Sequence, residues 1–370
     1  KPFLINLVDT PGHLDFSGKV TRALRLADGV LVIVDSVEEI SSQTETVVRQ
    51  ALEEAVRPIL FINKIDRLFN ELKLDLQEIK TKFARIINDF NQLIEMDAQN
   101  EYQTHWKVSA EKGSVLFGSA LHRWGFVLPQ LAKHGHNFDH FYDLYQKKRR
   151  PNLAEEYPVW ECVLAAVVKF LPNPLEAQQY RIDTIWSGDA ESAMGKAIKQ
   201  CDPEGPLVIC LSRVQKISNR LIGTGRIFSG TIRRGERIYL VNADEKSSIN
   251  QLNLFMGSRM ESIDELPAGN IAAIGGLKAM KSGETIFDTK HIKDAKPFET
   301  VKYVSEPVVT VAVEPDMLKN LSQLEDILKE IQIEDPNINV EVSEDSGEVL
   351  LSGMGPLHLE TVTDLIKERG

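Results

Sequence analysis

Three apolar runs within the first 66 residues each stop abruptly at a polar, acid-bearing rim, and this repeat restricts the fold more than any other feature of the chain. Leu4-Ile5-Asn6-Leu7-Val8 ends in Asp9-Thr10-Pro11-Gly12-His13, Val30-Leu31-Val32-Ile33-Val34 ends in Asp35, and Ile59-Leu60-Phe61-Ile62 ends in Asn63-Lys64-Ile65-Asp66. Runs of this kind are strands of a parallel sheet buried on both faces. Helical patterns lie between them. Phe16, Val20, Leu24 and Ala27 recur at helical spacing until Asp28-Gly29, and Val47, Val48, Ala51, Leu52 and Ala55 follow a cap at Ser41 or Ser42. The alternation predicts a doubly wound α/β sheet, whose right-handed crossovers bring all strand ends to one rim, where such sheets bind ligands.

The residues at that rim suit a nucleoside triphosphate. A strand-end carboxylate, Asp9, is placed to hold a magnesium ion, and Gly12 lets the backbone approach a terminal phosphate because it has no Cβ. His13 then stands beside the attacking water. In Asn63-Lys64-Ile65-Asp66 a carboxylate can accept two parallel hydrogen bonds from the N1–H and N2–H2 edge of guanine, while the Asn amide steadies the loop. Adenine has no such donor pair.

These two motifs, with Gln43-Thr44-Glu45-Thr46 and Arg49-Gln50-Ala51-Leu52 between them, resemble the translational GTPases, in the branch of the archaeal and eukaryotic elongation factor 2 type and its bacterial relative elongation factor G. The resemblance implies GTP and GDP as ligands, with magnesium as cofactor. It implies Asp9 at the magnesium ion, through water, and Gly12 at the γ-phosphate. It implies Asn63 and Asp66 reading guanine, Lys64 packing over the base, and His13 as the catalytic residue that orients water. Ser119-Ala120, ending the apolar run that starts at Ser114, is similar to the family's last guanine loop. A second pair, Ser109-Ala110, precedes a charged turn and is the less favoured candidate. Glu38-Glu39 departs from the family's usual Glu-Gly, which bears on loop flexibility.

Downstream, a polar-faced helix is expected from Leu72 to about Asn100, and helical patterns through Phe141-Leu144 and Val159–Leu171 stop at Pro172-Asn173-Pro174. His122, His134, His136 and His140 lack a metal-ligand spacing and read as packing or solvated residues. Lys147-Lys148-Arg149-Arg150 reads as a solvated helix end, with contact to ribosomal RNA as the lesser alternative. Cys162, Cys201 and Cys210 form no zinc or disulfide pattern and read as reduced thiols of a cytosolic protein.

After the linker Asp202-Pro203-Glu204-Gly205-Pro206, short strands are expected at Leu207–Leu211, Thr224–Phe228, Arg237–Val241, Asn270–Ile274 and Glu284–Phe287, closing as a small β-barrel. Gly223-Thr224-Gly225-Arg226 and Arg233-Arg234-Gly235-Glu236 read as turns. The last segment has the order βαββα, a ferredoxin-like domain without its final strand. There Ser352-Gly353-Met354-Gly355-Pro356-Leu357-His358-Leu359-Glu360 resembles the family's Gly-x-Leu-His-Leu-Glu stretch, with Pro356 in place of a commoner Glu and His358 read as structural. This segment also holds the acidity: residues 305–370 carry 15 acidic and 4 basic side chains, and the preceding residues balance. Neutral elsewhere, the chain is not a general nucleic-acid binder by charge.

The expected architecture is therefore multidomain. A P-loop-type α/β GTP-binding domain spans 1–204, a β-barrel 205–303 and an α+β ferredoxin-like domain 304–370. No Gly-x4-Gly-Lys-Ser/Thr phosphate loop occurs, and the chain begins at Lys1 without an initiator Met, so a piece of a longer protein is expected, lacking the phosphate loop and first switch at one end and further domains at the other. The resemblance implies a monomeric, cytoplasmic ribosomal translocase whose partners are the ribosome, through large-subunit RNA and stalk proteins, and indirectly tRNA and mRNA. No apolar stretch is long enough for a membrane helix. A related GTPase of ribosome assembly or splicing, and a non-catalytic ribosome-binding module, are the alternative readings.

Overall fold

A computed structural model of the chain describes residues 3–99, 101–146, 153–217, 220–257, 259–277, 279–301, 307–342 and 348–370. Packing divides the chain into two compact units, Lys1–Leu4 with Ala27–Asn173, and Ile5–Leu26 with Pro174–Gly370. This is a division by contacts, distinct from the domain boundaries drawn from sequence. The basic run Lys147–Arg150 lies outside the described residues.

In the first unit β1 (Gly29–Asp35), β2 (Arg57–Asn63), β3 (Val115–Ser119) and β4 (Trp124–Phe126) form one sheet in the order β1-β2-β3-β4. The first three are parallel; the apolar runs of β2 and β3 are buried, and β1 is only partly so. Register pairs Asp35 with Asn63 and Ile62 with Phe117, which brings the polar ends of all three to one rim. The sheet is mixed rather than wholly parallel, because β4 returns antiparallel against β3 through a connection too short for a crossover helix. Ser41 caps the Ser42–Glu53 helix by accepting the Thr44 N–H. The long helix is Leu76–Asp97, starting later than Leu72 because Asp75 and Glu78 form a reciprocal capping box at its first turn. Its Ile79, Phe83, Ile86, Phe90 and Ile94 are buried at three- and four-residue intervals, an apolar stripe against the core. The Val159–Phe170 helix packs Cys162 and Ala166 on Ile59, Phe61 and Leu116.

Leu4–Asp9 is not a strand. The stretch makes no ladder with any described strand, and Leu4 and Leu7 are 72% and 90% exposed. An apolar run becomes a buried strand only when a neighbour satisfies its backbone N–H and C=O groups; β1 pairs on one side alone, with β2, and its Ile33 is itself exposed.

In the second unit ten strands, β5 (Val208–Ile217), β6 (Arg220–Ser229), β7 (Thr231–Arg233), β8 (Arg237–Leu240), β9 (Glu245–Ser248), β10 (Gln251–Met256), β11 (Arg259–Ser262), β12 (Glu265–Pro267), β13 (Ile271–Gly275) and β14 (Thr285–Asp288), enclose one core. Eight run antiparallel in the order β11-β10-β13-β6-β5-β14-β8-β9, and the β7–β12 ribbon covers the same interior with Ile232 and Leu266. Five of the ten, β7 and β9–β12, were not expected: β7, β9, β11 and β12 are only three or four residues long and owe their form to cross-strand pairing, whereas β10 carries an apolar pattern that sends Leu252 into the core. Gly223–Arg226 is the interior of β6, not a turn; a Cβ on Gly225 would fall 2.7 Å from the Cys210 carbonyl on β5. Arg233–Glu236 does turn, at Gly235 with φ +83°.

The last segment has β15 (Val309–Val313), the helix Leu321–Glu334, β16 (Asn339–Val342), β17 (Val349–Gly353) and the helix Pro356–Arg369. The strands are antiparallel in the order β15-β17-β16, over a core that includes Leu328, Ile331, Leu351, Leu359 and Val362. The chain is thus multidomain, with an α/β sheet, a β-barrel and a ferredoxin-like βαββα. Cys162 and Cys210 are buried and Cys201 partly so, and burial raises the Cys162 thiol to about 12, which leaves it unreactive.

Hydrogen exchange checks the revised edge: the amides of Ile5–Val8 should exchange within about tenfold of an unstructured chain, while Ile209, Ile227 and Ile286 of the barrel exchange only by global opening.

Candidate functional site

The loops after β2 and β3 are joined by one side chain. Asn63 Oδ1 accepts the Lys64 N–H at 2.8 Å and the Ala120 N–H at 3.0 Å. Lys64 then adopts a left-handed conformation, φ +59°, which turns the chain into the Ile65–Asn70 helix and sets Asp66 in its first turn. Ser36, following β1, fixes the same loop by donating its N–H to the Asn63 carbonyl at 2.9 Å and its hydroxyl to the Lys64 carbonyl at 3.0 Å. Ser119 is fully buried and its Oγ accepts the His122 N–H at 3.3 Å. Asn63, Lys64, Asp66, Ser119 and Ala120 therefore gather at one rim. Ser109-Ala110 does not join them: the Ser109 N–H donates to Ser114 Oγ at 2.9 Å, in the turn that enters β3 from its opposite end.

Asp66 is only 7% exposed, and among the described residues its Oδ1 has no hydrogen-bond partner, while Oδ2 stands 3.5 Å from His122 Nε2. A buried carboxylate oxygen without a donor is costly to the fold, and a ligand N–H is the chemistry that would relieve it. Lys64 Nζ and Arg67 Nη1 both reach Asp35 Oδ2, at 2.9 and 3.1 Å. Burial opposes the charge on Asp35, but hydrogen bonds from Lys64 and the Val37 N–H and the charges of Lys64 and Arg67 outweigh it and hold the carboxyl below its ordinary range. Asp35 reaches this rim as the end of its apolar run, although no role was read for it; His122 was not anticipated, since it is placed by the turn after Ala120 and carried no signal.

Asp9, Gly12 and His13 belong to the other compact unit. Asp9 lies in an exposed irregular stretch instead of at a strand end, and a Cβ on Gly12 would meet nothing within 4 Å, so no contact within the chain demands glycine there. His13 caps a short 3-10 turn, Leu14–Phe16: its Nδ1 accepts the Asp15 N–H at 3.2 Å. That acceptor role puts the ring proton on Nε2. The half-exposed ring has Phe16 edge-on at 6.2 Å.

The helix that follows, Ser17–Leu26, is held at two places. At its C-terminal end Arg181 Nη2 donates to the Leu24 carbonyl at 3.1 Å and Arg226 Nη1 to the Leu26 carbonyl at 2.9 Å, from arginines at most 1% exposed. Midway along it Arg22 donates to the Glu334 carbonyl at 3.0 Å and approaches Asp335 Oδ1 at 3.5 Å. His358, 2% exposed, accepts the Met354 N–H at Nδ1 and faces Asp335 Oδ2 at 3.3 Å through Nε2.

Comparison with known proteins agrees along the chain. Residues 1–173 match the elongation factor Tu GTP binding domain, 221–287 elongation factor Tu domain 2, and 304–370 elongation factor G domain III. Elongation factor 2 of Aeropyrum pernix is 49% identical over 371 residues, and that of Sulfurisphaera tokodaii 51% over 374 residues; in each case all of this chain aligns. The chain belongs to the translational GTPases, on the elongation factor 2 branch. It spans about half the length of these relatives, 50% and 51%.

Glu39, where the family resemblance leads to an expectation of Gly, has φ +62°, the left-handed region that favours glycine. The Glu39 carboxylate offsets that strain by pairing with Lys82 Nζ and by approaching Arg85 Nη1 at 3.6 Å. Burial works to raise the Asp335 carboxyl, yet the His358 hydrogen bond and the Arg22 charge prevail and hold it at about 2, against an ordinary 3.8. A carboxyl depressed in the folded state contributes stability that is complete above its unfolded value and lost as pH falls through its folded one. Chemical unfolding between pH 5 and pH 2 should therefore show wild type losing more stability than Asp335→Asn, with the extra loss concentrated from about pH 4 to about pH 2.

Proposed function

We infer that this chain supplies the guanine-reading and hydrolysis-triggering parts of a ribosomal translocase that hydrolyses GTP to drive movement of tRNA and mRNA. The observation that supports this best is the buried Asp66 carboxylate with an unsatisfied oxygen, on a loop that Asn63 ties to Ala120. Its two oxygens suit the paired N–H donors of guanine, the Ala120 and Ser119 loop suits the base oxygen, and Lys64 packs over the ring. The family's domain division, 1–204, 205–303 and 304–370, is part of the same proposal.

Phosphates and magnesium are a separate matter. Among the described residues no group of three or more His, Cys, Asp or Glu could hold a metal ion. An exposed Asp9 fits the family's magnesium as a single carboxylate partner, reached through water, because that ion keeps most of its waters and takes phosphate oxygens. The ion would shield charge on the terminal phosphate. Gly12 lies beside that phosphate, and His13 orients the attacking water with its Nε2–H side once the ribosome brings the ring inward. Large-subunit RNA and stalk proteins are the proposed partners of a cytoplasmic monomer; among the described residues no helix is long and apolar enough to cross a membrane.

Two measurements test this. By calorimetry, residues 1–370 alone should bind GDP weakly, at least about a hundredfold weaker than a complete factor, since the phosphate loop supplies most phosphate contacts. The residual binding should favour guanosine over adenosine and disappear in Asp66→Ala. Tight, magnesium-dependent binding by this chain would contradict the assignment. In a chimaera carrying this chain in place of the matching half of the Aeropyrum pernix relative, His13→Ala should leave GTP affinity within about threefold and lower ribosome-stimulated turnover at least about a hundredfold. Loss of affinity with turnover per bound nucleotide intact would make His13 a structural residue of its loop.

A further inference from the structure

One residue touches both His13 and the ferredoxin-like domain. The Asp15 N–H is the donor received by His13 Nδ1 at 3.2 Å. The Asp15 carboxylate spans the two: Oδ1 stands 3.5 Å from the same His13 Nδ1, while Oδ2 accepts the Leu357 N–H at 3.1 Å and the His358 N–H at 3.3 Å. These amides open the Pro356–Arg369 helix, whose N-cap, Gly355, makes no side-chain cap of its own. Asp15 thus caps a helix whose bonded amides lie 342 and 343 residues away in sequence, satisfying N–H groups that the helix leaves over and placing a negative charge at the positive end of its dipole.

The fit is close. A Cβ on Gly355 would lie 2.4 Å from the Asp15 carboxylate and would displace it, while the extended backbone at Gly355 would itself accept any residue. Phe16 lies edge-on to the His358 ring at 5.8 Å, and the Arg22–Asp335–His358 chain holds the same surfaces together one helical turn further on.

We propose that Asp15 is a positioning residue for hydrolysis: by anchoring to the Pro356–Arg369 helix it fixes the backbone N–H that selects the tautomer and orientation of His13. Displacement of that helix then reaches the catalytic ring through a single residue. The proposal rests on the assignment of His13 above.

Two readouts test it together. In the 15N-labelled 370-residue chain, two-bond 1H–15N spectra should show His13 as the Nε2–H tautomer, and Asp15→Ala should give a mixture of both tautomers with Leu357 and His358 amides exchanging at least about tenfold faster. In the chimaera, Asp15→Ala should lower ribosome-stimulated kcat at least about tenfold with KM for GTP within about twofold. Asp15→Asn, which keeps an oxygen acceptor in place, should restore kcat to within about threefold of wild type. Gly355→Ala displaces the carboxylate from the opposite side and should reproduce the tautomer change if Asp15→Ala does not fold. An unchanged tautomer, or an unchanged kcat, in a folded Asp15→Ala protein would overturn the proposal. If His13→Ala in the same chimaera turns over normally, the function assigned to His13 fails; if His13→Ala is inactive and Asp15→Ala is normal, only the role of Asp15 fails.

Discussion

The arrangement of the second unit depends on two buried guanidinium groups taking the carbonyls at the end of the Ser17–Leu26 helix. Arg226 joins the Leu26 carbonyl to Gln178 Oε1, at 2.9 Å each, and Gln178 in turn donates to the Phe228 carbonyl at 2.9 Å. Charged donors aimed at the negative end of a helix dipole, away from water, are strong. Because these arginines lie on a barrel strand and on the Pro174–Ile185 helix, the helix after His13 packs with elements more than 150 residues away.

That attachment sets the His13 segment apart from the rim proposed to read guanine. Asn63, Ser36 and Ser119 build that rim from short loops on one sheet, so its geometry follows from strand register. His13 is instead set by contacts with the barrel and the ferredoxin-like domain: Asp15 before its helix, Arg22 midway along it, and Arg181 and Arg226 at its C-terminal end.

Much of this was legible in the sequence, and the exceptions share a cause. Asn63-Lys64-Ile65-Asp66 and Ser119-Ala120 could be read because each ends an apolar run, and a parallel sheet aligns such ends on one rim. The βαββα order could be read for the same reason, its strands and helices being separated by clear changes of period. Leu4–Asp9 was misread because its pattern states only that a buried strand is chemically possible; the neighbour that would make it one is not among the described strands. The polar strands β9 and β11, Glu245–Ser248 and Arg259–Ser262, gave no alternation because their form comes from pairing, not from a buried face.

By itself the sequence determined the strands β1–β3 with the helices between them, the βαββα order of the last segment, and the family, since these follow from local periodicity and from side-chain chemistry at fixed spacing. Only the tertiary structure decided that Ser17–Leu26 packs with the barrel, that Asp15 caps the Pro356–Arg369 helix, that β4 runs antiparallel, and that one Asp66 oxygen is buried without a donor. Each of these is a contact between residues far apart in sequence, and its energy depends on burial and hydrogen-bond geometry that no local pattern encodes.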